Sequence, residues 1–177
     1  MSILLAQHHP NMIRALLLWR VTGGPYAAQR LTFNYYEQYL HAIDKGGIEA
    51  VLATDHFAAM VEANPLNEET PRGIDCKGFA DAMHRWLAEF RADCDYPVAG
   101  IRPKAMRRLT MPAIVIPGND RVHPPASAQT AHRLLPNSVY QEVLTHQVEA
   151  DVDFSGWERA TGTLAARFID FSRGLER

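Results

Sequence analysis

The stretch Leu109-Thr110-Met111-Pro112-Ala113-Ile114-Val115-Ile116-Pro117-Gly118-Asn119-Asp120 decides the fold. Its apolar run is too short for a helix and is closed by prolines. It does not alternate with polar residues, as a strand with one wet face would. Met111 to Pro117 therefore reads as a strand covered on both sides, the pattern of a parallel sheet. Gly118-Asn119-Asp120 is turn chemistry, and it ends the strand on a carboxylate. Beyond it, Pro124 and Pro125 stand where proline is tolerated, at the start of a helix. That helix runs through Ala128, Ala131, Leu134 and Leu135 to Pro136-Asn137. A second short strand is expected over Val139 to Leu144, then a polar connection, then a last helix carrying Leu164, Ala165, Phe168, Ile169 and Phe171.

Toward the N-terminus, Ser2 to His9 reads as the end of a helix that Pro10 stops, since the residue before proline avoids the helical region. Ile13 to Val21 is a further apolar run, bounded by Pro10 and Gly23-Gly24-Pro25, and is expected to be a central parallel strand covered on both faces. Between Ala27 and Arg108 the period changes to helical. Leu31, Tyr35, Tyr39, Leu40 and Ile43 form one apolar face. Ile48, Val51, Leu52, Phe57, Met60 and Val61 form a second, and Phe79, Met83, Trp86, Leu87 and Phe90 a third. Asn64-Pro65 and Thr70-Pro71-Arg72-Gly73 read as surface loops between three helices. Strand, helical insert, strand, helix, strand, helix is an α/β order with parallel pairing and right-handed crossovers. Three strands are few for such a sheet, so further strands are expected from a missing segment or from another chain.

Composition narrows the function classes. The chain has 177 residues, 47% hydrophobic and 21% charged, with a net charge of -2. This is the profile of a soluble domain able to bury a core. The basic residues are scattered rather than clustered, which argues against a nucleic-acid partner. No run approaches the roughly 20 apolar residues of a membrane span, and the first residues lack the features of a signal peptide. With two cysteines, Cys76 and Cys94, no disulfide framework or CxxC metal knuckle is expected, and a cytoplasmic protein is the natural reading. No glycine-rich phosphate loop or dinucleotide fingerprint is present, so no cofactor is expected.

The phrase Leu109 to Asp120, followed by His123-Pro124 and an alanine-rich helix ending Leu134-Leu135-Pro136-Asn137, resembles the late part of the α/β-hydrolase fold. So does Ala6-Gln7-His8-His9-Pro10 followed by the strand Ile13 to Val21, with helices inserted after it. The resemblance covers nearly the whole chain and maps onto the second half of that fold. It implies a partial α/β-hydrolase core over 1–26 and 109–177, a short parallel sheet with flanking helices, and a helical cap inserted at 27–108. It also implies hydrolysis of an ester- or amide-type bond in an unknown small-molecule substrate. The family's nucleophile sits in a Gly-x-Ser-x-Gly elbow. Ser2, Ser127, Ser138, Ser155 and Ser172 all lack the paired glycines, so the nucleophile is expected before residue 1. The expected partner is then a complementing N-terminal half; a non-catalytic, self-associating homodimer is the alternative.

The resemblance places the catalytic acid at Asp120 and the general base at His146. In that arrangement a carboxylate orients a histidine ring and stabilises its cation. His146 lacks the usual preceding glycine and is followed by Glu149, Asp151 and Asp153. His123, three residues from Asp120, is expected to shape the turn rather than form a relay, since triad members come from separate loops. The pair His8-His9, with Asp120, His123 and His132, could suggest a metal, but no HxxxH or HExxH spacing accompanies it, and no metal is expected. Cys94 lies between Asp93 and Asp95, which would raise rather than lower a thiol pKa. Phe33, Tyr35, Tyr36 and Tyr39 are expected to pack the insert rather than line a pocket.

Overall fold

The computed structural model describes residues 2–94 and 96–176. Asp95, one of the two aspartates flanking Cys94, lies outside them. The chain forms two compact units, Met1–Ala28 with Asp93–Arg177, and Gln29–Ala92. The first contains a three-stranded parallel sheet in the order β1 (Leu16–Trp19), β2 (Ala113–Ile116), β3 (Ser138–Tyr140). Leu16 stands opposite Ala113 and Trp19 opposite Ile116; on the other side Ala113 faces Ser138 and Val115 faces Tyr140.

Every residue of β2 is fully buried. Its side chains alternate across the sheet, so the strand feeds two cores. Ala113 and Val115 join Leu16 and Leu18 of β1 against Ile3 and Ala6 of helix α1 (Ser2–His8) and Ala128, Ala131 and Leu134. The last three belong to α8 (Pro125–Leu134), which starts at the expected proline. Ile114 and Ile116 lie on the opposite face under Trp157, Ala160 and Leu164 of α9 (Phe154–Gly174).

The strand expected over Ile13 to Val21 is shorter, and it is not central. Among the described residues β1 pairs only with β2, and its other edge is free. Leu17 and Trp19, on the α9 side, remain 43% and 39% exposed. Hydrophobic content cannot distinguish a covered strand from one whose neighbour is absent. Arg20 ends the strand by turning into the left-handed region, with φ of 54°. A side chain held there stores about 1 to 3 kcal/mol of strain. The strand after α8 also stops early, at Tyr140, and the residues up to Asp153 are irregular.

The helical unit is more divided than its three apolar faces suggest. It comprises the end of α2 (Gly24–Thr32), a π-helical turn at Phe33–Glu37, then α3 (Gln38–Leu52), α4 (Asp55–Ala63), α5 (Leu66–Arg72) and nearly all of α6 (Cys76–Asp93). The second face spans two helices because Thr54 caps α4, its hydroxyl accepting from Phe57 N–H. Thr70-Pro71-Arg72 is helical rather than a loop, with Pro71 buried. Tyr39 is in the core of this unit with Ile43, Val51, Phe57 and Phe79. Burial, then the neighbouring Tyr35, pushes its phenol up to about 12, and it hydrogen bonds with His56 Nδ1. Phe33 and Tyr35, in contrast, are 41% and 50% exposed. A mostly apolar cavity of about 370 Å³ in this unit is bounded by other residues, among them Phe57, Met60, Phe79 and Trp86.

The middle strand should dominate stability of the sheet unit. Ile114→Ala is expected to cost about 2 to 5 kcal/mol in urea unfolding. Val139→Ala, at a half-exposed position on β3, should cost under about 1 kcal/mol.

Candidate active site

The site is built by the turn that follows β2. Gly118 is needed there because the chain folds back on itself: a Cβ at this position would lie 2.3 Å from the His123 carbonyl oxygen and 2.5 Å from the His123 Cβ. The fold-back buries Asn119 and Asp120 together. Asn119 acts as a hub. Its Nδ2 donates to the His146 carbonyl (3.2 Å) and to Asp153 Oδ2 (2.7 Å), while its Oδ1 accepts from Trp157 Nε1 (2.8 Å). Val148 N–H donates to its backbone carbonyl at 2.8 Å. The turn is thereby tied to the loop after β3 and to the first turn of α9.

Four polar groups surround the Asp120 carboxylate. Oδ1 accepts from the backbone N–H of His123 and faces His123 Nδ1, each at 2.8 Å. Oδ2 accepts from Arg20 Nη2 at 3.0 Å and from Asp153 N–H at 3.1 Å. Arg20 Nη2 is also 3.2 Å from His123 Nδ1, and its Nε is buried with no partner. Burial alone would raise the Asp120 pKa. The hydrogen bonds from His123 and Asp153, with the charge of His123, outweigh it and hold the group at about 2. Asp153 is also held below the usual carboxylate range, first by Asn119 and then by Gly156 N–H.

The structure brings Asp120 together with Arg20 and His123. His146 contributes its backbone carbonyl to the network, while the residue itself is exposed and its ring makes no hydrogen bond to the described residues. An ionised carboxylate has about four acceptor sites, and those of Asp120 are taken. The His146 ring could orient on Asp120 only by displacing one of these four groups.

Beside Asp120 a cavity of about 340 Å³ opens at the C-terminal end of the strands, bounded by Gly24, Tyr26, Arg121, Gln147 and Glu149. This is where open parallel sheets place their ligands. The Arg121 guanidinium stacks 3.6 Å from the centre of the Tyr26 ring, and the Tyr26 hydroxyl donates to Asp151. Gly24, at φ of 84°, starts α2 on the wall of this cavity. Of the other histidines considered, His132 bonds Ser138 Oγ at 2.8 Å, and the rings of His8 and His9 lie 6.5 Å apart. Among the described residues no three His, Cys, Asp or Glu side chains are placed to hold a metal ion. Cys94 is buried.

Arg20 and Trp157 escaped the sequence reading, and Asn119 and Asp153 entered it only as turn chemistry and as an acidic neighbour of His146. The four become visible as a group only when the end of β1, the turn, the loop and α9 meet.

No family model and no curated protein matches the chain. Solved structures do. BpoC of Mycobacterium tuberculosis, assigned as a non-heme bromoperoxidase, superposes with a TM-score of 0.54 over 98% of this chain and 63% of its own, at 18% identity. The chain carries part of an α/β-hydrolase fold. MGS-M2, an α/β hydrolase from a deep-sea metagenome library, matches with a TM-score of 0.52, at 14% identity over 96% of this chain and 60% of its own. Rv0554 of Mycobacterium tuberculosis gives 0.52, with 17% identity over 98% and 61%. The chain thus spans 60% to 63% of the length of these structures. Among the described residues no helix is long and apolar enough to cross a membrane.

The depressed pKa of Asp120 fixes a pH dependence. The unfolded carboxyl takes a proton near pH 3.8 and the folded one near 2, so its stabilisation is complete above about pH 4 and is lost as pH falls toward 2. At neutral pH it amounts to about 2 kcal/mol. The stability gap between the unsubstituted chain and Asp120→Asn in urea titrations should narrow across that interval, and a gap independent of pH would contradict this assignment.

Proposed function

We propose that this chain is part of a serine-type α/β-hydrolase acting on an ester, amide or related bond of a small molecule, with Asp120 as the catalytic acid. The observation that supports the reading is the buried, ionised Asp120 carboxylate beside a cavity at the C-terminal end of the middle strand. A carboxylate so placed can orient a histidine and balance its charge when it takes the proton of a nucleophile. His146 is the base by its place in the loop after β3, and His123 competes for that role by contact. In this reading the segment 27–108 acts as the cap, and a complementing segment supplies the nucleophile. A reducing cytoplasm is the expected compartment.

The codons preceding Met1, and the genes beside it, are the place to seek a Gly-x-Ser-x-Gly segment. A protein joining that segment to this chain should label with a fluorophosphonate probe. It should lose about a thousandfold or more in ester turnover on Asp120→Ala. If no such segment exists, or if labelling persists after its serine is replaced, the hydrolase reading is wrong.

The free edge of β1 favours a second reading, a self-associating module. An exposed apolar edge strand offers unpaired backbone groups to another chain. Leu17 and Trp19 are half-exposed along it, and Leu4 and Met12 border the same surface. Light scattering should then report a dimer that Leu17→Lys converts to monomer; a monomer without the substitution would exclude it.

A further inference from the structure

We propose that the cavity beside Asp120 takes a small molecule bearing a carboxylate, which the Arg121 guanidinium holds. The inference names a substrate class for the hydrolase reading. It rests on that reading for the chemistry done in the cavity, and not for the binding.

Three observations carry it. First, Arg121 and Tyr26 line the cavity together, with the guanidinium stacked 3.6 Å from the ring centre. Stacking occupies a face of the guanidinium, whereas its N–H donors point outward in the plane. Those donors make no hydrogen bond or ion pair to the described residues. The fork is thus held flat with its edge free, the form that receives a carboxylate through two parallel bonds.

Second, the stack is fixed from behind by one segment. Arg121 N–H donates to the Ala150 carbonyl at 3.1 Å, Val122 N–H to the Asp151 carbonyl at 3.2 Å, and the Tyr26 hydroxyl to the Asp151 side chain. A cation positioned in advance loses less side-chain freedom when a ligand arrives.

Third, the other charges on the wall limit the ligand to a single negative charge. Asp120 is paired with Arg20, and Glu149 is exposed and makes no ion pair with Arg121. One free cation beside two carboxylates suits a monoanion better than a phosphate dianion. Pro124 and Val148 give the 340 Å³ space apolar surface for the rest of the molecule.

Benzoate and its neutral counterpart benzamide test the assignment by NMR titration of the nitrogen-15-labelled chain. Benzoate is expected to bind and to shift the Arg121 Nε–H and the Gly24 amide, with benzamide and inorganic phosphate binding more weakly. Arg121→Gln should weaken benzoate about tenfold or more, the effect of losing a charged hydrogen-bond partner. Tyr26→Leu should weaken it several-fold, and Tyr26→Phe, which keeps the stacked ring, should bind like the unsubstituted chain. Absence of benzoate binding at millimolar concentrations, equal affinity for benzamide, tighter binding of phosphate, or unchanged affinity in Arg121→Gln overturns the proposal. None of these readouts needs a nucleophile. A chain that binds benzoate while the completed protein fails to label with fluorophosphonate refutes the hydrolase reading alone, and the reverse pattern refutes only the carboxylate site.

Discussion

A carboxylate sealed at the end of a buried strand has to find its donors within the protein, and the geometry of the sheet unit follows from how Asp120 does so. Its four partners come from three places: the residue that ends β1, the turn after β2, and the residue that caps α9. Each partner fixes a local feature. Arg20 is held in a left-handed conformation. His123 packs over a position that only glycine can fill. Asp153 spends its N–H on Asp120 while its own side chain accepts from Gly156. Leaving a buried charge unpaired would cost several kcal/mol, so these segments are bound to one another through it.

Asn119 extends the same arrangement. Its side chain is saturated by Trp157, Asp153 and the His146 carbonyl, which anchors the loop after β3 without placing the His146 ring. Fold position and contact therefore point to different histidines. Position after the last strand favours His146. Contact favours His123, which lies on the same turn as the acid.

The free edge of β1 is the other constraint on function. A parallel strand is stable when both faces and both edges are occupied. Here one edge and part of one face are open, in a chain that spans 60% to 63% of the length of its structural relatives. Arg20 stands at the end of that open strand and reaches Asp120. The open edge therefore ends one residue from the site.

Much of the fold was legible in the sequence because it depends on local rules. The prolines and the unbroken run Ala113 to Ile116 determined the middle strand. Pro124-Pro125 determined the start of α8, and Gly118-Asn119-Asp120 determined that a carboxylate closes β2. These are consequences of φ restriction, side-chain period and turn chemistry, each acting within a few residues. Tertiary structure decided the rest. That β1 is an edge, that Thr54 divides one helical face into two helices, and that Arg20 and His123 rather than His146 meet Asp120 all depend on which distant groups arrive at the same place. A buried carboxylate takes the donors nearest to it in space, and the sequence carries no record of that distance.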